Sequence, residues 1–256
     1  MAEIMNNKSW LGTRIQSEEG DFGTIRFQGW VSNVNVFGID WENPERGKHD
    51  GTYKGVDYFK TSYPTSGSFV PVHSKKLLFP RTFLSALYEK YTQESSDVRL
   101  TFGANKQVQV ETVGWEKIQE KQKHLEMLMV VGLAEQRIGL LDHPDEIQNA
   151  CPRIQDLDLS KNLLKSWEDV SAICKELPSL TSLRLSFNQF DSALSSVFHH
   201  AFDKLQSLTV NATRMSWDQM EHVASFMPSL EELHFGWNHL TDLGYAGKRV
   251  KGTLCK

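Results

Sequence analysis

The feature that most constrains the fold of this chain is a pattern that returns at a nearly fixed interval in its second half. Ile154-x-x-Leu157-x-Leu159-x-x-Asn162-x-Leu164 recurs as Leu180-x-x-Leu183-x-Leu185-x-x-Asn188-x-Phe190. It recurs again as Leu205-x-x-Leu208-x-Val210-x-x-Thr213-x-Met215 and as Leu230-x-x-Leu233-x-Phe235-x-x-Asn238-x-Leu240. The starting positions step by 26, 25 and 25 residues. A stretch before them, Leu125-x-x-Leu128-x-Val130-x-x-Leu133, reads as a degenerate earlier copy. Leucines at alternate positions point into one continuous core, because a single copy cannot bury its own apolar side and copies must stack.

The pattern and its length are those of a leucine-rich repeat. The Asn at the turn of each copy (Asn162, Asn188, Asn238) is expected to hydrogen-bond backbone groups that the bend leaves unpaired. Thr213 stands in that place once, so one rung should be looser. Helical returns precede the strands, with Val170, Ile173 and Leu177 before Pro178, and Met220, Val223 and Phe226 before Pro228. Residues 123–245 are therefore expected to form an α/β leucine-rich-repeat solenoid, followed by a flexible tail over 246–256. After Leu240 the sequence holds Gly244, Gly247 and Gly252 and no amphipathic segment. A solenoid end needs a cap, so the expectation is a shortened form of a longer protein.

The first 79 residues have a different texture. Thr24–Phe27, Val34–Trp41 and Val56–Lys60 read as short strands punctuated by glycine, which predicts a small all-β domain, a barrel or sandwich. From Pro80 the period changes. Phe83, Leu84, Leu87, Tyr88 and Tyr91 share one helical face, and residues 98–102 and 108–113 alternate as strands. Residues 80–122 are read as a connector that also shields the first repeat. The chain is thus expected to be multidomain, a small all-β barrel followed by the repeats.

Charge and composition exclude several classes. A net charge of −4 lacks the basic footprint of a general nucleic-acid binder. No apolar run approaches the roughly 18 residues of a membrane span. Glu3, Asn6 and Asn7 stand where a signal peptide would be apolar, and Cys151, Cys174 and Cys255 form no Cys-x-x-Cys pair, so the cytoplasm is the expected compartment. There is no phosphate loop, Gly-x-Ser-x-Gly elbow or His-Glu-x-x-His motif. No enzyme activity, cofactor or metal is expected.

The remaining signal is Gly47-Lys48-His49-Asp50-Gly51, followed by Gly55, Tyr58-Phe59 and Gly67-Ser68-Phe69. With Gly23-Thr24-Ile25-Arg26-Phe27, Gly38-Ile39-Asp40-Trp41 and Asn43-Pro44 before it, this order resembles the CAP-Gly family over about Leu11 to Leu77. The resemblance implies a groove for an acidic C-terminal tail ending in Tyr or Phe, such as that of α-tubulin. It implies Gly47, Lys48, His49, Asp50, Gly51, Trp41, Phe37 and Phe69 as the peptide-binding residues. Lys48 would face the ligand's carboxylates, Phe69 its terminal ring, and the glycines would admit an extended backbone. Two positions depart from the family: Val36 stands in place of a Trp, with Phe37 expected to substitute in part, and Pro71 in place of an Arg. Such a module followed by leucine-rich repeats is similar to a tubulin-folding cofactor. That likeness implies α-tubulin and other tubulin-folding cofactors as partners, assistance in assembling and dissociating the αβ-tubulin heterodimer, and a cytoskeletal association. A microtubule-associated scaffold, localised by the groove and holding a second partner on the repeats, is the alternative.

Overall fold

The computed structural model describes residues 9–92, 124–190 and 200–238. In the first module, β1 (Arg14–Ser17), β2 (Phe22–Val31), β3 (Val34–Trp41), β6 (Gly67–Pro71) and β7 (Leu77–Leu78) form an antiparallel sheet in the order β6-β3-β2-β1-β7. The β2–β3 hairpin closes on Ser32 and Asn33, with φ of 45° and 65°. Two successive positive φ values match the turn to the right-handed twist of its strands. Lys54 and Gly55 close the small hairpin of β4 (Thr52–Tyr53) and β5 (Val56–Asp57) in the same way. The strand expected over Val56–Lys60 ends at Asp57, and Tyr58 instead donates its N–H to Gly51.

Strand parity decides what each side chain of β3 does. Phe37, Ile39 and Trp41 project to one face and pack with Trp10, Ile15, Ile25, Val72 and Leu77 into the core of this module. Val36, Gly38 and Asp40 fall on the other face.

The second module is built on β9 (Val130–Gly132), β11 (Asp156–Asp158), β12 (Ser182–Arg184), β13 (Ser207–Thr209) and β14 (Glu232–His234). These run parallel, in chain order, with Val131, Leu157, Leu183, Leu208 and Leu233 in register and buried. Helices α3 (Trp167–Lys175) and α4 (Trp217–Ala224) return the chain between rungs. Ser166 caps the first by accepting from the Asp169 N–H, and Ser216 with Gln219 forms a reciprocal capping box on the second. Ahead of the first rung, β8 (Arg81–Thr82) pairs with β10 (Ile138–Leu140), and α1 (Phe83–Thr92) buries Phe83, Leu84, Ala86 and Leu87 in the repeat core. A short helix, α2 (Glu146–Ala150), precedes β11. The strands expected over 98–102 and 108–113, Leu240 and the tail lie outside the described residues.

The first rung differs from its expected register by three residues. Val131 pairs with Leu157, so the copy runs Leu128-x-x-Val131-x-Leu133-x-x-Gln136-x-Ile138. Leu125 belongs to a short 3-10 turn instead, and Val130, expected inside, is 68% exposed.

The turn asparagines behave as an interlocking ladder. Asn162 Nδ2 donates to Leu133 O at 2.8 Å and Leu159 O at 2.9 Å, while its Oδ1 accepts from the N–H groups of Gln136 and Ile138. Asn188 likewise bridges Leu159 O and Leu185 O, both at 2.9 Å, and accepts from Asn162 N. Asn238 reaches Val210 O and accepts from Thr213 N. Thr213 has one donor where Asn has two; its hydroxyl lies 3.1 Å from Val210 O within its own rung.

Arg14 joins the modules. Its guanidinium is 3% exposed, donates to Asn162 O at 3.1 Å and Leu164 O at 3.2 Å, and binds Glu42 Oε1 at 2.7 Å. Five fixed donors in a plane allow one side chain to satisfy two carbonyls and a carboxylate together.

Candidate peptide-binding site

The glycine loop is clamped to β6 by backbone hydrogen bonds. Lys48 N and His49 N donate to Gly67 O at 2.7 and 3.3 Å, and Gly67 N donates to His49 O at 2.8 Å. Glycine is required here by close approach. A Cβ on Gly47 would lie 2.4 Å from the backbone of Thr65 and Ser66, and one on Gly51, where φ is 96°, would lie 1.8 Å from Phe59 O. Asp50 accepts the Thr52 N–H at 3.0 Å, which holds its carboxyl below the usual range and fixes the loop's far end.

That clamp sets His49 beside Phe69, the hub of an aromatic cluster. The two rings stack at 4.8 Å and 27°. Phe59, Tyr58, Tyr53 and Phe27 meet Phe69 edge-on, with centroids 5.5, 5.5, 6.2 and 6.3 Å away. Edge-to-face contacts at these spacings are favourable for aromatic quadrupoles. Gly38 lies beneath the cluster, and a Cβ there would meet the Phe59 ring at 2.4 Å. Phe69 itself remains half-buried.

Beside the cluster is an open cavity of about 380 Å³ lined by Arg26, Asp40, Phe59, Lys60, Thr61 and Ser62. Asp40 is held there by Ser62 N, Ser62 Oγ and Ser66 Oγ. Lys48 is exposed on the loop and has no ion-pair partner among the described residues. His49 Nδ1 accepts the Gly51 N–H at 3.0 Å, so in the neutral ring the proton sits on Nε2, and burial pushes its pKa down.

Six of the sequence-based candidates (Gly47, Lys48, His49, Asp50, Gly51 and Phe69) therefore come together. Phe37 and Trp41 do not join them. Phe37 is fully buried against Phe79, and Trp41 is 2% exposed in the same core with the Arg46 guanidinium 5.0 Å over its ring. Parity along β3 turns both away from the cluster, so Phe37 does not stand in for a groove ring. The cluster draws instead on Phe27, Tyr53, Tyr58 and Phe59, flanked by Arg26 and Lys60. Arg26 and Phe27 stand in the run Gly23-Thr24-Ile25-Arg26-Phe27 that carries the family resemblance, and a bulge between Ile25 and Phe27 interrupts the alternation of β2 there. Val36 and Pro71, the two departures from the family pattern, are direct cross-strand partners on the same face as Phe69.

Comparison with known proteins agrees with both modules. Residues 11–75 match the CAP-Gly domain, and residues 176–193 and 226–245 match a leucine-rich repeat. The chain is 37% identical over 241 residues to mouse tubulin-specific chaperone E, covering 90% of this chain and 45% of that protein. It is 39% identical over 227 residues to the Xenopus laevis protein of the same name, covering 87% and 42%. It is 31% identical over 251 residues to Arabidopsis thaliana tubulin-folding cofactor E, covering 94% and 46%. The chain spans less than half the length of these curated relatives. It is related to the tubulin-specific chaperone E proteins and carries a CAP-Gly domain followed by leucine-rich repeats.

Proposed function

We propose that this relative of tubulin-specific chaperone E is a tubulin-binding folding cofactor that grips α-tubulin at two places. The Phe69 cluster would take the terminal ring of the acidic tail, with Lys48 of the glycine loop and Arg26 and Lys60 of the adjoining cavity facing the carboxylates. The repeats, read as a solenoid behind a small β-barrel, would hold the folded body. Two contacts carried on one chain raise each other's effective concentration, so neither need be tight alone. In this reading the protein assists assembly of the αβ-tubulin heterodimer, and its dissociation, together with other tubulin-folding cofactors. It works in the cytoplasm near the cytoskeleton without a catalytic step. Among the described residues no helix is long and apolar enough to cross a membrane, and no group of His, Cys, Asp and Glu could hold a metal ion.

The observation that carries this reading is a half-buried Phe69 ringed by five aromatic side chains beside a glycine loop whose lysine has no ion-pair partner among the described residues. The test is to mix the protein with tubulin. A folding cofactor retains α-tubulin in a soluble complex on gel filtration. Cosedimentation with polymer, with no soluble complex, would instead establish a microtubule scaffold.

A further inference from the structure

A second cleft, of about 520 Å³, lies between the two modules and opens onto the repeat turns. The residue before each ladder position adopts a left-handed conformation in all five rungs. Glu135, Lys161, Phe187, Ala212 and Trp237 have φ of 62°, 53°, 61°, 53° and 59°. Gly and Asn suit such a site best; Phe187 has the Lys161 ammonium, 5.6 Å from its ring centroid, for a cationic neighbour there. Yet Phe187 is 50% and Trp237 90% exposed.

The chemistry changes along this row. Glu135 and Lys161 neutralise one another at 2.8 Å. Phe187 and Trp237 then flank Ala212, two strand spacings apart or about 9–10 Å. Ala212, with its small side chain, lies between them in sequence order and lines the same cleft. A ring inserted midway would lie roughly 5 Å from each, inside the 4.5–7 Å range of favourable aromatic pairs. Arg214, two residues beyond Ala212, lines the same cleft, is exposed and has no ion-pair partner among the described residues. The carboxylate facing it from the first module, Glu42, is already bound by Arg14. The uncompensated charge in the cleft is therefore positive.

We propose that this cleft is a second docking site, for an internal acidic segment of a partner polypeptide that bears an aromatic side chain. The ring would sit between Phe187 and Trp237 over Ala212, with an adjacent carboxylate on Arg214. Unlike the groove at Phe69, it needs no free chain end, and it stands whether or not that groove binds a tail.

The test uses the whole chain and fluorescein-labelled Glu-Glu-Phe-Glu-Glu amide, which lacks a terminal carboxylate, read by fluorescence anisotropy. Trp237→Ala and Arg214→Glu, both exposed positions, should each weaken binding at least tenfold without altering the thermal melt. Ala212→Trp should fill the place between Phe187 and Trp237 and abolish binding. The proposal is overturned if the peptide fails to bind, if Arg214→Glu leaves binding intact, or if Lys-Lys-Phe-Lys-Lys amide binds equally. Sedimentation showing a dimer that Trp237→Ala dissociates would also overturn it, making the occupant a second copy of this chain.

Discussion

Arg14 donates to the backbone carbonyl of Asn162, 148 residues away, at 3.1 Å. The contact places a side chain of the first sheet inside the turn of the second repeat. Removing it leaves Glu42 without its cation and two carbonyls without a donor. Breaking a buried pair in this way costs about 3–5 kcal/mol, and the 20% exposure of Glu42 puts the expected loss at the lower end. Arg14→Ala should lower the urea midpoint and separate the unfolding of the two modules. Arg14→Lys should rescue little, because one ammonium cannot span three acceptors. A single unshifted transition in Arg14→Ala would show that the modules are held by other contacts.

Lys48→Ala should weaken an acidic, Tyr-ended peptide by about three- to tenfold at low salt, as expected for one charge-assisted contact in a solvated site. The effect should fade as salt is added, because exposed charges are screened. Anisotropy titrations at two ionic strengths measure both. Equal affinities for the wild type and the variant at low salt would remove Lys48 from the site.

Pro71→Arg places a cation on the face that carries Phe69 and opposite Val36. Pro71 is exposed, so the change should be tolerated. Affinity for the same peptide should rise about fivefold, for a gain near 1 kcal/mol. A peptide affinity that does not move would mean the ligand never reaches this end of β6.

His49 carries a pH dependence. Burial favours its neutral form, and Nδ1 is committed to accepting the Gly51 N–H. Its folded pKa lies below the ordinary value near 6.5, so the unfolded chain binds more protons as pH falls past that point. The stabilisation is full above about pH 6.5 and is lost toward the lower folded pKa. The His49 ring resonance should titrate below 6.5 by NMR, and the Gly51 amide should lose exchange protection on acidification. A titration midpoint above 6.5 would contradict the buried acceptor geometry.

Thr213→Asn should restore the ladder. The new amide would have a second donor for the Leu185 carbonyl of the preceding rung, as Asn188 has for Leu159. One buried neutral hydrogen bond contributes about 1 kcal/mol, so the chemical denaturation midpoint should rise. No gain would indicate that the turn cannot admit the longer side chain.

Much of this was readable in the residue pattern because repetition is self-checking. Asn162, Asn188 and Asn238 each lie where the interval requires and do what an amide at a bend can do. The first rung misleads because Leu125 and Leu128 mimic the opening of a repeat. The better guides are Gln136 and Ile138, which match Asn162 and Leu164 at the common step of 26 residues. Phe37 misleads for a related reason: adjacency in sequence suggests that it can replace Val36, while the pleat sends neighbours to opposite faces. Arg14 carries no local signal at all, since its partners are set by how two modules meet.

In the proposed function the Arg14 bridge also limits what a client can look like. Glu42 follows directly on Trp41, at the end of the strand that leads into the glycine loop, so the same cation holds the approach to that loop and the turn of the second rung. Swinging one module against the other would break the Arg14–Glu42 pair away from the carbonyls of Asn162 and Leu164. Under the proposed two-site grip the molecule would work as a caliper of set span: a protein touching both jaws would be selected by the distance between its own two grips, however well each grip fits alone.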